Sequence, residues 1–162
     1  MAPPTQEVGP ETLQVEEALR VDNISLSSEE QGHKVVLRPA GDAPGLLEMF
    51  VGGSEFASLA KEMGLIEPKR PLTHEMYLRL LDGFEIKFER LEIYDVRDNA
   101  FLARLHFLKR DQAEQLEVRP SDGLALAVHF GLPVFLNKRL LKGRLSPKDR
   151  EILGDLVKAV KF

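Results

Sequence analysis

Between Phe84 and Arg119, apolar residues keep a two-residue period through three successive runs, FEIKFERLEIY, FLARLHFL and QLEVR. No other feature constrains the fold as much. Alternate side chains of an extended strand point to opposite faces, so each run offers one face to a core and one to solvent. The first two runs are separated only by the turn-like DVRDN, too short for a crossover helix, so the three strands must pair as an antiparallel meander. Within the first run the apolar positions pass from Phe84, Ile86 and Phe88 to Leu91 and Ile93. A slip of one residue predicts a β-bulge.

The rest of the chain adds strands before this meander and helices on both sides of it. LQVEEALRVDNISLSSEEQGHKVVLRP reads as two strands around a polar turn near Ser27 to Gly32, and LLEMFVG (46–52) as a third strand. The period then changes. In SEFASLAKEMG, Phe56, Leu59, Ala60 and Met63 fall on one helical stripe, with Gly64 placed to end it. A second helix is predicted from Thr73 to before Gly83, with His74, Leu78 and Leu81 on one face and Met76, Tyr77 and Leu80 beside it; so much apolar surface predicts deep burial. SDGLALAVHFG reads as a nearly all-apolar helix and LPVFL as a buried strand. The expected architecture is α+β: a mixed, largely antiparallel sheet with helices packed on it, occupying residues 13–143. Residues 1–12, rich in Pro, Gly and Glu, predict a loose tail. Residues 144–162 predict a C-terminal amphipathic helix, started by Ser146 as N-cap with Pro147 and Asp149 following.

Composition narrows the chemistry. The 162 residues contain no cysteine, which removes disulfides, zinc–thiolate sites and thiol nucleophiles. No apolar run approaches the ~18 residues that span a bilayer, and the N-terminus lacks the plan of a signal peptide; the expected location is cytoplasmic, with no membrane partner. The formal charge is −4, but it is uneven: residues 1–30 carry seven acids and one base (net −6), residues 130–162 eight bases and three acids (net +5). That end is either a basic face for a polyanion or a solvated helix surface.

Two segments, RPLTHEM (70–76) and RPSDG (119–123), place an arginine before a proline that can open a helix. Helix starts gather free N–H groups and the positive end of the dipole, so a guanidinium beside one makes an anion site, and two of them could line one cleft. His74, near such a start, is kept neutral by the dipole and suits a base or metal ligand; the alternative is a core histidine bonded to backbone. Asp122 and Glu55 each read either as ligands for a divalent cation or as acids that stabilise a helix start. Ser121 reads as a cap rather than a nucleophile, since no G-x-S-x-G elbow surrounds it. Arg70 and Arg119 either contact phosphate or pair with buried acids. His33 is assigned to a turn, His106 to a strand and His129 to a helix end. Walker A, G-x-G-x-x-G, H-E-x-x-H and EF-hand patterns are missing.

Taken together, VGGSEFASLA (51–60), RPLTHEMYLRLL (70–81), DNAFLARL (98–105), VRPSDGLALAV (118–128) and PVFL (133–136) resemble the bifunctional nuclease domain family, in order and in spacing, over roughly residues 15–142. The resemblance implies an α+β fold particular to that family, self-association into a homo-oligomer, and nuclease activity on DNA and RNA. Carried over by motif, its site positions are Glu55, Arg70, Thr73, His74, Arg119, Ser121 and Asp122. Three positions depart from the family pattern: Glu117 for aspartate, Gly123 for alanine, and Glu48 near a common proline. One reading is a metal-assisted phosphodiesterase in which Asp122 and Glu55 hold Mg²⁺ or Mn²⁺, His74 handles the proton, and Arg70 and Arg119, with Thr73 and Ser121, meet the phosphate. The other is a non-catalytic, self-associating module that binds an anion or nucleic acid. No organic cofactor is expected on either.

Overall fold

The computed structural model of the protein describes residues 11–142 together with Val160–Lys161. The expected N-terminal tail lies outside the described residues except for Glu11 and Thr12. The expected C-terminal helix does too, except for Val160–Lys161, which pair as a strand.

The first hairpin joins β1 (Ala18–Glu29) to β2 (Gly32–Pro39) through Glu30 and Gln31 alone, so its strands run further into the polar stretch than its composition suggests. β3 (Leu47–Val51) adds to β2. Helices α1 (Gly53–Glu62) and α2 (Thr73–Leu81) follow, then the meander β4 (Ile86–Arg97), β5 (Ala100–Lys109) and β6 (Gln112–Val118). After it come α3 (Pro120–Phe130), β7 (Val134–Asn137), a 3-10 turn at Lys138–Leu140, and β8 (Val160–Lys161). The strand order is β3-β2-β1-β7-β4-β5-β6, with β8 also beside β1. β7 runs parallel to β4 and antiparallel to β1, which makes the sheet mixed. No helix among the described residues is long and apolar enough to cross a membrane.

The predicted bulge lies between Phe88 and Arg90, and a second follows between Ile93 and Asp95. The second lets β4 continue through Asp95–Arg97, residues that read locally as a turn, and leaves only Asp98 and Asn99 to reverse the chain. Both have positive φ (49° and 62°), the conformation a two-residue hairpin needs and one that Asp and Asn tolerate. Arg110 and Asp111 repeat the arrangement (49° and 63°) although arginine has no preference for it.

The core joins the sheet to α1 and α3. Ile24, Leu37, Leu47, Leu59, Leu91, Ile93, Leu105, Leu124 and Leu136 are all wholly or almost wholly buried. α3 is apolar nearly all round because it sits against both β4–β5 and α1. α2 departs from expectation: only His74 on it is buried, while Met76 and Leu80 are 57% and 66% exposed. Tyr77 and Leu78 pack partly on the core. An apolar stripe reaches the interior only if an element faces it, and the sheet beneath is already covered by α1 and α3.

Gly123 shows why composition alone misjudges a position. Alanine is worth about 1 kcal/mol more than glycine in a helix, but a Cβ here would run into Leu91, which is fully buried, and press on Val118. Overpacking of this kind costs about 1–3 kcal/mol. Gly123→Ala is therefore expected to lower stability in urea unfolding, and Leu91→Val in the same chain to recover part of the loss. A stabilised single variant would contradict this packing.

Candidate functional site

Three helix starts converge on one groove of about 560 Å³. Gly53, Ser54 and Glu55 come from the first turn of α1, Leu72, Thr73 and His74 from the start of α2, and Arg119 and Asp122 from the start of α3. Arg119 holds the groove's ionic centre. As the residue before Pro120 it is extended (φ −67°, ψ 141°) and is the N-cap of α3, with Pro120 in the first helical position. Its guanidinium grips Asp122 with two bonds, Nε to Oδ2 at 2.7 Å and Nη2 to Oδ1 at 3.2 Å. It reaches α1 through Nη1 to Glu55 Oε1 at 2.8 Å. Glu55 is held below the usual carboxylate range, first by accepting a bond from its own backbone N–H at the helix start; slight burial opposes this and Arg119 adds to it. Arg119 is raised, chiefly by its bond to Asp122.

The two carboxylates expected to hold a divalent cation are thus brought together, with an arginine between them. Among the described residues no cluster of three or more His, Asp or Glu side chains gathers as a metal cage. The donor set is nevertheless of the right kind for Mg²⁺ or Mn²⁺, hard carboxylate oxygens, since Mg²⁺ is usually held by one or two carboxylates with waters and substrate phosphates completing its shell. Glu55 and Asp122 are the residues that would hold it.

His74 lines the groove but is 3% exposed. Its partner is a carboxylate, not the backbone: Nε2 lies 2.7 Å from Glu62 Oε1, and Glu62 Oε2 in turn lies 3.0 Å from His129 Nδ1. Lys61 Nζ adds a contact to Glu62 at 3.2 Å. The other ring nitrogen, Nδ1 of His74, is buried without a partner among the described residues. Glu62, Tyr77 and His129 are the residues that sequence reasoning missed. Glu62 was legible in principle, because it stands two helical turns after Glu55 and so on the same side of α1. Tyr77 also lines the groove, its hydroxyl pushed up by burial and then by the charges of Asp122 and Glu62.

The other expected positions are dispersed. Thr73, exposed, is on the groove wall as the first residue of α2. Ser121 is buried in the first turn of α3 and is not its cap; it lines the neighbouring cleft, which shares Glu55 and Arg119 with the groove. Arg70 is exposed and stands outside the groove lining. The two Arg-Pro starts therefore differ in geometry. Glu75 reaches back to the Leu72 N–H at 2.7 Å and makes Leu72 the N-cap, which leaves Pro71 outside the helix and Arg70 further back, whereas Pro120 lies inside α3.

His33 belongs to β2 rather than a turn, where it stacks on Phe56 with ring centres 4.5 Å apart. Glu117, one of the departures from the family pattern, accepts both its bonds from the Tyr94 hydroxyl at 2.9 and 2.8 Å. It alternates with Val118, which faces α3, so it lies on the sheet face away from the groove and its extra methylene does not disturb Glu55 or Asp122.

The model of the bifunctional nuclease domain matches residues 35–148. Similar proteins include two uncharacterised proteins of Mycobacterium tuberculosis, from strains CDC 1551 and H37Rv. Each is 30% identical over 123 residues that make up 75% of this chain and 73% of the relative. The matched span takes in α1, α2, the meander and α3, and with them every wall of the groove: the chain belongs to the bifunctional nuclease domain family.

Proposed function

We propose that the groove binds a phosphodiester of DNA or RNA and hydrolyses it with Mg²⁺ or Mn²⁺ held by Glu55 and Asp122. The observation that carries this reading is the meeting of these carboxylates, from two different helices, on one guanidinium beside three helix starts. Arg119 is two-thirds exposed and so free to turn from the carboxylates to a phosphate, which it can grip with two parallel bonds. The positive ends of the helix dipoles favour the same negative charge. His74 Nδ1, the ring atom without a partner among the described residues, is the acceptor for the proton of the attacking water. When bound, the cation would supply polarisation of the phosphoryl oxygen and a more acidic water. The adjoining cleft, lined by Phe50, Arg139 and Lys142 as well as Arg119, offers a strand both positive charge and an exposed ring for a base.

A second reading is favoured by one detail: Arg119 satisfies both carboxylates at once, which ties α1 to α3 with no ligand needed. On that reading the chain is a non-catalytic module that binds nucleic acid through the neighbouring cleft. Incubation with single-stranded DNA or RNA, with and without Mg²⁺ or Mn²⁺, separates the two, together with calorimetric titration of Mn²⁺. Metal-dependent cleavage and a Mn²⁺ heat are expected. Salt-sensitive binding with neither cleavage nor Mn²⁺ affinity would replace the nuclease reading with the binding module.

A further inference from the structure

The chain of three side chains behind the groove, His74 and Glu62 buried and His129 at its exposed end, has a chemistry of its own. Glu62 is buried in the α1 face toward α2 and α3, with 7% of its side chain exposed. Burial pushes its carboxyl up, but hydrogen bonds from His74, His129 and Lys61 outweigh that and hold it below its ordinary range. It is therefore a carboxylate at neutral pH, and an ionised carboxylate can only accept hydrogen bonds. Both imidazole contacts must then be N–H donors: Nε2–H of His74 at 2.7 Å and Nδ1–H of His129 at 3.0 Å.

We propose that Glu62 is a positioning residue that fixes His74 in the Nε2–H tautomer and so leaves the Nδ1 lone pair as the proton acceptor of the groove. The acceptor role rests on the nuclease reading above; the tautomer does not. Three observations carry it. The shorter contact is the one to His74. Nδ1 of His74 has no partner among the described residues, whereas most buried polar atoms have one; a proton there would be a buried donor with nothing among them to receive it. The second oxygen of Glu62 is held by His129, whose side chain is 38% exposed, and Lys61 bonds both Glu62 and Glu75 of α2 at 3.2 and 2.9 Å. The carboxylate is thus oriented from α1, α2 and α3 together. A carboxylate that sets the tautomer of a neighbouring imidazole is the general means by which a histidine is readied as a base.

The test is ¹⁵N NMR of the histidine rings in the whole chain, which distinguishes the two tautomers directly. His74 is expected to carry its proton on Nε2 in the wild type and to lose that single-tautomer state in Glu62→Met. A wild-type His74 protonated on Nδ1, or one unchanged by Glu62→Met, overturns the proposal without reference to any activity and without requiring that the variant fold well. If the wild type cleaves nucleic acid, Glu62→Met is expected to lower kcat by about 10- to 100-fold, part of what a placed general base contributes, with KM little changed. Glu62→Gln, whose amide oxygen can still accept from Nε2, is expected to retain more of the rate. Equal kcat in wild type and Glu62→Met overturns the acceptor role. The expected tautomer in a protein that cuts nothing overturns the nuclease reading instead.

Discussion

Replacing Glu92 with alanine is expected to lower the free energy of unfolding by about 3–5 kcal/mol, the usual cost of removing one partner of a buried charge pair. Glu92 stands on β4 with 3% of its side chain exposed, on the face away from α3. Arg90 Nε meets Oε1 at 3.0 Å, Arg104 Nε meets Oε2 at 3.1 Å, and Thr12 Oγ1 and the Leu13 N–H close the remaining positions at 2.9 and 3.2 Å. His106 Nε2 lies 3.1 Å from Oε2 as well, so two arginines, a histidine and Thr12 surround the carboxylate. Arg104, buried like Glu92, also lies over the Tyr94 ring at 4.1 Å. Without the carboxylate its charge would have, among the described residues, only the exposed Glu11, 3.1 Å away, as an ionic partner. Urea unfolding at neutral pH measures the effect; a loss below about 1 kcal/mol would mean that solvent reaches the cluster.

The same residue sets an acid dependence. Burial pushes the Glu92 carboxyl up, and the contacts from His106, Arg90, Thr12 and Arg104 more than reverse this, leaving it well below the usual range. A group whose folded-state pKa lies below its unfolded value, about 4.3 for glutamate, stabilises the fold above that value and loses its contribution as pH falls toward the folded pKa. The wild type should therefore lose stability on acidification below about pH 5, and Glu92→Ala, already lacking the contribution, should show a flatter acid limb in melts at successive pH values.

The second large effect concerns rate rather than stability. Arg119→Ala and Asp122→Asn are each expected to lower metal-dependent cleavage by about 10²–10³-fold, the range for removing one preorganised charge contact to a transition state. Thermal stability should hardly move. In both pairs the arginine side chain is 66% exposed, against 40% for Asp122 and 17% for Glu55, and pairs screened by water in this way contribute about 0–1 kcal/mol. The combination is diagnostic, because a trio that merely ties α1 to α3 would lose little in either measurement. Cleavage that survives both substitutions would remove Arg119 and Asp122 from the chemistry.

Much of the fold was legible because its signals are local. The alternation of Phe88, Leu91 and Ile93 with its slip, the stripe Phe56–Leu59–Ala60–Met63 and the apolar run of α3 each report a face that must be covered, and each is covered, although Phe84 at the head of that alternation lies before β4 and is 66% exposed. Where local reading failed, a partner distant in sequence decided the outcome. Asp95–Arg97 became strand because β5 pairs with them. Met76 and Leu80 stayed exposed because nothing among the described residues faces that side of α2, and Gly123 lies where Leu91 of another element leaves no room. The site divides in the same way. Glu55, His74, Arg119 and Asp122 could be named as candidates from their motifs, but the tie between Glu55 and Asp122 through one guanidinium, the hold of Glu62 on His74, and the separation of Arg70 and Ser121 from the groove could not.

The sequence by itself determined the elements from β1 to β7, their order, the family and the two helix starts that mark the candidate site, because periodicity, turn chemistry and capping act over a few residues. The tertiary structure alone decided which of those polar groups meet. Hydrogen bonds and ion pairs require contact within a few ångströms, and here the partners stand as far apart as 64 residues for Glu55 with Arg119 and 67 for Glu62 with His129.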